Sequence, residues 1–421
     1  MAPLTVSGAV RVPGDKSISH RSLILACLAE GESRVAGILD SEDVRSTAGA
    51  LRSLGAGIPE LAGEMRISGV GLRGLIQPKR ALDCGNSGTT TRLLAGVVAG
   101  HPFSARFEGD ASLSRRPMKR VAKPLTYMGA RFEFDSGDGL PMTVHGVDLR
   151  SIDWDTKSAS AQVKSAILLA GLVSQVEVRV TESSRSRDHT ERMLRSMGVD
   201  VESDRNQVCL RPARRLAPLD LAVPADPSSA AFFVALASLA GAGELQLDDV
   251  CLNPTRVGFI SAIKRMGGDI RVTARATEGG EETGTLSVHP ASLGDIRIAA
   301  ADVPSLIDEL PLLACVAAAA RVRLEVTGAA ELRVKESDRI SVVVRNLRAV
   351  GATAEELPDG LRVLPGAREF SGTVDPQGDH RIAMAFGILS AVSGNRIEIT
   401  NPEVVAVSYP RFWEDLKRVS S

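Results

Sequence analysis

Residues 13–21 read Pro-Gly-Asp-Lys-Ser-Ile-Ser-His-Arg, bringing two cations, Lys16 and Arg21, together with two hydroxyls, Ser17 and Ser19, behind a glycine. An apolar helical pattern follows in Leu23, Ile24, Ala26, Cys27 and Leu28, so the spacing predicts a helix that starts near Ser17. The free backbone N–H groups of that helix and the positive end of its dipole would face the same way as both charges. Such an arrangement suits a phosphate or a carboxylate. The same run also reads as an ordinary helix start, capped by Asp15 and Ser17, with solvated charges.

Comparable polar runs recur before other apolar helices. Gly85-Asn86-Ser87-Gly88-Thr89-Thr90-Thr91-Arg92 offers small residues, hydroxyls and backbone N–H groups for close approach of an anion. Residues 109–118 place Arg115 and Arg116 ahead of a helix expected to start at Pro117, and arginine suits a two-pronged grip on carboxylate or phosphate. Ser158-Ala159-Ser160-Ala161-Gln162-Val163-Lys164 and Arg187-Asp188-His189 stand at two further helix starts. Later in the chain, Asp308 and Glu309 sit against an apolar helix, where an acid is costly to bury without a partner. Val334-Lys335-Glu336-Ser337-Asp338-Arg339 is expected to open the next helix, and Gly378-Asp379-His380-Arg381 the one after. Each run alone has a plain reading as a cap or a solvated loop. Their shared place at helix starts points to a convergent anion pocket.

The elements that must position these groups repeat. A pattern of the form Leu-x-x-apolar-Gly-small-x-apolar ends predicted helices at Gly55, Gly129, Gly198, Gly267 and Gly351, with Ser420 in the equivalent sixth place. Each copy predicts a helix, a glycine in the left-handed position after it, and a short strand. A period of about 70 residues is too long for a solenoid and fits an α/β subdomain. Six copies divide into two domains of three, with a break near Val223-Pro-Ala-Asp-Pro-Ser. A cleft between two such domains is a natural ligand site.

Composition limits the alternatives. A chain of 421 residues exceeds one ordinary core. Its formal net charge of −1 provides no global field for nucleic acid, and 3% aromatics argue against base stacking. Five scattered cysteines (Cys27, Cys84, Cys209, Cys251, Cys315) suggest a reducing compartment, and neither they nor the six histidines form a metal motif. The longest apolar stretch, 310–320, is about half a membrane span. A cytoplasmic protein acting without metal or cofactor, nucleic acid or membrane is expected.

In order, the runs GDKSISHR, GNSGTTTR, RRPM, SASAQ, SRDHTERML, ELRVKESDR and GDHRIAMAF closely resemble the 5-enolpyruvylshikimate-3-phosphate synthase family, from Lys16 to Arg381. The resemblance implies an α/β fold of two domains, each of three βαβαββ units arranged as an inside-out α/β barrel, with the active site in the cleft between them. It places 15–226 in the N-terminal domain, and 1–14 with 227–421 in the C-terminal one. It implies transfer of the enolpyruvyl group of phosphoenolpyruvate to the 5-hydroxyl of shikimate 3-phosphate, by a monomer.

Carried onto this sequence, the resemblance gives Lys16, Ser17, Arg21, Ser160, Ala161, Gln162, Arg187, Asp308 and Lys335 to shikimate 3-phosphate. It gives Lys16, Gly88, Arg116, Gln162, Arg339 and Arg381 to phosphoenolpyruvate. Asp308 resembles the base for the 5-hydroxyl, and Glu336, with Lys16, the acid for the methylene carbon. Retention of Gly88 implies sensitivity to glyphosate, the family's herbicide competitor. The sequence departs from many members at Val407, where they carry a lysine, and from some at Ala161 and Glu331. Two alternatives are a UDP-N-acetylglucosamine enolpyruvyl transferase, which would need a cysteine at Ala111, and a non-catalytic anion-binding protein. The first is disfavoured by that alanine and the second by the presence of both Asp308 and Glu336.

Overall fold

The computed structural model describes residues 4–157, 159–392 and 394–420; Ser158 of the run before Gln162 lies outside them. The chain divides into two compact units. One comprises Gly14–Val223 with Thr277–Glu281, and the other Met1–Pro13, Pro224–Ala276 and Glu282–Ser421. The break at Val223–Pro224 falls in the proline-bearing run that interrupts helix and strand patterns alike. Thr277–Glu281, which the family resemblance places with the second half, groups with the first. There Glu281 meets the His189 ring at 2.7 Å, both residues fully buried.

The first unit holds helices α1 (Lys16–Leu28), α2 (Glu42–Ser53), α3 (Gly88–Ala99), α4 (Lys119–Met128), α5 (Ala161–Ser174) and α6 (His189–Ser196). The second holds α7 (Pro227–Leu239), α8 (Gly258–Arg265), α9 (Leu310–Ala320), α10 (Arg339–Ala349), α11 (His380–Ala391) and α12 (Phe412–Val419). The strands form six separate open sheets, and none closes on itself among the described residues. A common plan recurs in three of them. Ile152–Thr156 runs parallel to Val178–Glu182 across α5, and the hairpin Val201–Asp204/Gln207–Leu210 adds antiparallel strands. The same plan is built across α3 and across α9. Around α11 only the parallel pair Ser371–Val374 and Arg396–Ile399 forms. Strands borrowed from far along the chain complete the remaining two sheets: Gly8–Val10 beside Leu245–Cys251, and Asp220–Ala222 beside Glu30–Ala36.

Five of the repeat glycines take the left-handed conformation expected of them, with φ of +90° at Gly55, +123° at Gly129, +84° at Gly198, +102° at Gly267 and +94° at Gly351. The sixth copy differs. Ser420 is extended at φ −108°, because the chain leaves α12 for a bridge to Val6 instead of a following strand.

Within each unit some helices are buried almost all round, as their alanine-rich apolar sequences require: α1, α3 and α5 in the first, α7, α9 and α11 in the second. Helices α7, α9 and α11 pack on one another, and α3 lies tightly on α5. At that last contact Gly96 lets the two backbones meet; a Cβ there would stand 2.2 Å from the Ala166 carbonyl oxygen. Backbone cannot yield as a flexible side chain does. We therefore predict that Gly96→Ala destabilises the protein by about 1–3 kcal/mol in urea unfolding. An unchanged midpoint would show that α3 and α5 have slack.

Candidate active site

In the first unit, α1 begins one residue earlier than its apolar pattern suggests. Asp15 caps it, accepting the Ile18 N–H at 2.8 Å, so Lys16 occupies the first helical position. Lys16 pairs with Asp43 on α2. One turn along, the buried Arg21 donates from Nε to Thr190 Oγ1 and from Nη2 to Ser165 Oγ, both at 2.7 Å, and from Nη1 to the Ser17 carbonyl. The Arg187 guanidinium reaches Ser17 Oγ at 3.5 Å. Lys16, Ser17, Arg21 and Arg187 therefore meet where α1, α5 and α6 come together.

Helix α3 begins at Gly88, with Ser87 as its cap. Arg92, one turn in, donates to Gln162 Oε1 at 2.6 Å, and Gln162 Nε2 donates to Thr89 Oγ1 at 2.9 Å. A Cβ on Gly88 would lie 2.8 Å from Arg92 Nη1 and 3.5 Å from Arg116 Nη1. Arg116, nearly buried, is held by the Asn86 and Ser112 side chains. It precedes α4, which starts at Lys119 and not at Pro117 as the sequence suggested. Ser160 caps α5, placing Ala161 and Gln162 in its first turn. Beneath them, Lys164 is buried between Glu182 and Glu191 at 2.7 and 2.8 Å. Burial alone would lower its pKa; the two carboxylates outweigh that and raise it. Glu182 also accepts from Ser186 in the loop that carries Arg187.

The second unit gathers the other predicted residues around one guanidinium. Arg339, only 1% exposed, donates to Asp379 (2.7 Å), Glu336 (2.6 Å) and Asp308 (3.1 Å). Lys335 lies 3.4 Å from the same Asp308 oxygen. Arg381 sits 3.1 Å from Glu309 and 4.0 Å from Asp308. Lys335 and Glu336 do not open a helix, as the sequence suggested. They form the loop between a 3-10 turn (Ala330–Val334) and α10, which Asp338 caps. Asp308 likewise sits in a 3-10 turn, Ile307–Glu309, just before α9.

Three contributors, Arg92, Asp43 and Asp379, are not among the residues that the sequence motifs single out for the site. Arg92 stands only at the end of a glycine–threonine run and Asp379 only in a polar helix-start run, while no motif singles out Asp43. Their importance lies in partners dozens of residues away. Among the described residues no group of His, Cys, Asp and Glu has the spacing to hold a metal.

The comparisons bear on this arrangement. Residues 2–416 match the family model described as EPSP synthase (3-phosphoshikimate 1-carboxyvinyltransferase). The chain belongs to the EPSP synthase family. It is 47% identical over 421 residues to a 3-phosphoshikimate 1-carboxyvinyltransferase of Persephonella marina, covering 99% of this chain and 98% of that one. It is 48% identical to that of Acidithiobacillus ferrooxidans over 409 residues, covering 97% and 94%. A solved EPSP synthase from Acinetobacter baumannii superposes with a TM-score of 0.87 at 41% identity, covering 99% and 96%. The enolpyruvyl transferase NikO from Streptomyces tendae shares the fold, with a TM-score of 0.78 at 18% identity over 99% and 96%.

The chain is thus a transferase of the shikimate pathway. It moves the enolpyruvyl group of phosphoenolpyruvate to shikimate 3-phosphate and releases phosphate. The rival acceptor, UDP-N-acetylglucosamine, is not favoured: position 111 is alanine, and all five cysteines are buried.

Asp379 links packing to pH. Burial raises its pKa, but Arg339 and the neighbouring hydrogen bond outweigh this and hold it below the ordinary value of 3.8. A depressed carboxyl stabilises the fold above the unfolded pKa, and that contribution is lost as pH falls through the folded one. Asp379→Asn, which also leaves Arg339 undercompensated, should cost about 3–5 kcal/mol at neutral pH. The gap from wild type should narrow below pH 3.8. A gap independent of pH in urea titrations would contradict this.

Proposed function

We propose that the two clusters divide the reaction between them. Lys16, Ser17, Arg21, Ser160, Ala161, Gln162 and Arg187, with Asp308 and Lys335, hold shikimate 3-phosphate. Lys16, Gly88, Arg116, Gln162, Arg339 and Arg381 hold phosphoenolpyruvate. Both substrates are anions and repel each other, so cations must compensate them together. What supports the first assignment is that Arg21 is fixed by the Thr190 and Ser165 hydroxyls and Arg92 by the Gln162 amide. These hydroxyl and amide contacts orient the two guanidiniums.

The observation that carries the mechanism is the placement of Asp308 and Glu336 on different Nη atoms of Arg339. One carboxyl can donate while the other accepts. Glu336, assisted by Lys16, protonates the methylene carbon of phosphoenolpyruvate. Positive character develops at the carbon bearing the phosphate, the 5-hydroxyl attacks it, and Asp308 takes the hydroxyl proton. Loss of a proton from the new methyl group expels phosphate and restores the double bond. Asp308→Ala should slow phosphate release by about 10²–10⁴-fold. Lys16→Ala should both raise KM and lower kcat. Turnover by Asp308→Ala at the wild-type rate would rule out its role as base.

Gly88 leaves the phosphoenolpyruvate side unobstructed by a side chain, which supports inhibition by glyphosate in competition with phosphoenolpyruvate. Inhibition curves that do not shift as phosphoenolpyruvate is raised would contradict this. We propose that the protein acts as a monomer. Five free, buried cysteines fit the reducing cytoplasm, and no helix among the described residues is long and apolar enough to cross a membrane.

A further inference from the structure

A buried chain of hydroxyls runs through the first unit from α1 to the start of α3. The His20 ring, fully buried, meets Thr47 Oγ1 through Nδ1 at 2.7 Å. Thr47 Oγ1 lies 2.6 Å from Thr90 Oγ1, and Thr90 Oγ1 lies 2.8 Å from Ser87 Oγ. Ser87 Oγ also accepts the Thr90 backbone N–H as the cap of α3. All four side chains are excluded from solvent. They join the helix that carries Lys16, the helix that carries its partner Asp43, and the helix start at Gly88.

Proton counting gives this chain a direction. His20 Nε2 is buried and has no hydrogen-bond partner among the described residues. Burial, then the nearby Lys16 and Arg21 charges, push the His20 pKa well below 6.5, so the ring is neutral and carries one proton. A proton on Nε2 would be a buried donor with no acceptor, which folded proteins avoid more strictly than an unfilled acceptor. The proton therefore sits on Nδ1 and is donated to Thr47. Thr47 then donates to Thr90, and Thr90 to Ser87. Each hydroxyl has a single proton, and Thr90 directs its own to Ser87 Oγ at 2.8 Å, the Asp43 carbonyl oxygen being the longer alternative at 3.4 Å.

We propose that His20 and Thr47 are positioning residues for phosphoenolpyruvate: the directed chain His20–Thr47–Thr90–Ser87 holds the start of α3, and with it Gly88, in register with Lys16. None of the four needs to touch the substrate. The proposal rests on the assignment of Gly88 to phosphoenolpyruvate.

The test compares Thr47→Val, which keeps the shape and removes the hydroxyl, with Thr47→Ser, which restores it. Thr47→Val leaves buried donors and acceptors without partners at the α3 start. It should raise KM for phosphoenolpyruvate about tenfold, while KM for shikimate 3-phosphate changes less than about twofold. Thr47→Ser should return to the wild-type value. A Thr47→Val protein that melts earlier but keeps its KM for phosphoenolpyruvate, or in which both KM values rise equally, overturns the proposal.

Gly88→Ala separates the two claims. If it raises KM for phosphoenolpyruvate and Thr47→Val does not, the chain proposal alone fails; if Gly88→Ala has no effect, the assignment beneath it fails too. Should Thr47→Val not fold, nitrogen-15 spectra of histidine-labelled wild-type protein decide. A neutral His20 with its proton on Nδ1 supports the directed chain, and an Nε2–H tautomer or an imidazolium near neutral pH overturns it.

Discussion

Three carboxylates share one buried guanidinium, and the proposed chemistry depends on that arrangement. Arg339 is almost wholly excluded from water, so its charge must be compensated by partners with good geometry. Asp379 provides the permanent compensation: it lies at the start of α11, accepts from Arg339 at both oxygens and caps the helix through the Arg381 N–H. Asp308 and Glu336 take the remaining donors from two different segments. The two carboxylates proposed for opposite tasks are thereby fixed by a common, buried partner. Arg339 keeps its proton throughout, because its acidic neighbours outweigh the cost of burial.

The first unit solves a different problem with the same parts. There the proposed role of the cations is to meet the anionic substrates. Arg21, Arg92 and Arg116 are held by hydroxyl, amide and carbonyl oxygens, while an aspartate on α2 steadies Lys16. Buried helices with little side-chain bulk allow this economy. Alanine, glycine and small hydroxyl residues let α3 and α5 approach closely, so residues at their first turns meet across short distances. A repeat in which most central helices begin with Asp or Ser caps also brings backbone donors to their starts.

Much of this was legible in the sequence because it is local. Apolar periodicity and the glycine after each helix expose the six-fold repeat, and the caps place Lys16, Gly88 and Gln162 within a turn of their true positions. The misplacements share a cause. Lys335, Glu336 and Asp308 sit in 3-10 turns or loops, where charge patterns that suggest a helix start are instead drawn out of helical geometry by ion pairs with Arg339 and Arg381. Arg92, Asp43 and Thr47 could not be singled out from spacing, since their partners lie on other helices. Ser420 departs from the repeat because it pairs with Val6 of the N-terminal segment.

The central claim is that the two acids on Arg339 divide the proton transfers, with Glu336 delivering the proton to carbon. A single turnover in heavy water, with phosphate release timed and the product's methylene group examined by mass spectrometry, tests it directly. The account predicts deuterium in the methylene of the wild-type product. It also predicts that Glu336→Gln slows deuterium entry and phosphate release by the same large factor. A product free of deuterium, or a Glu336→Gln protein that incorporates it at the wild-type rate, would contradict the account.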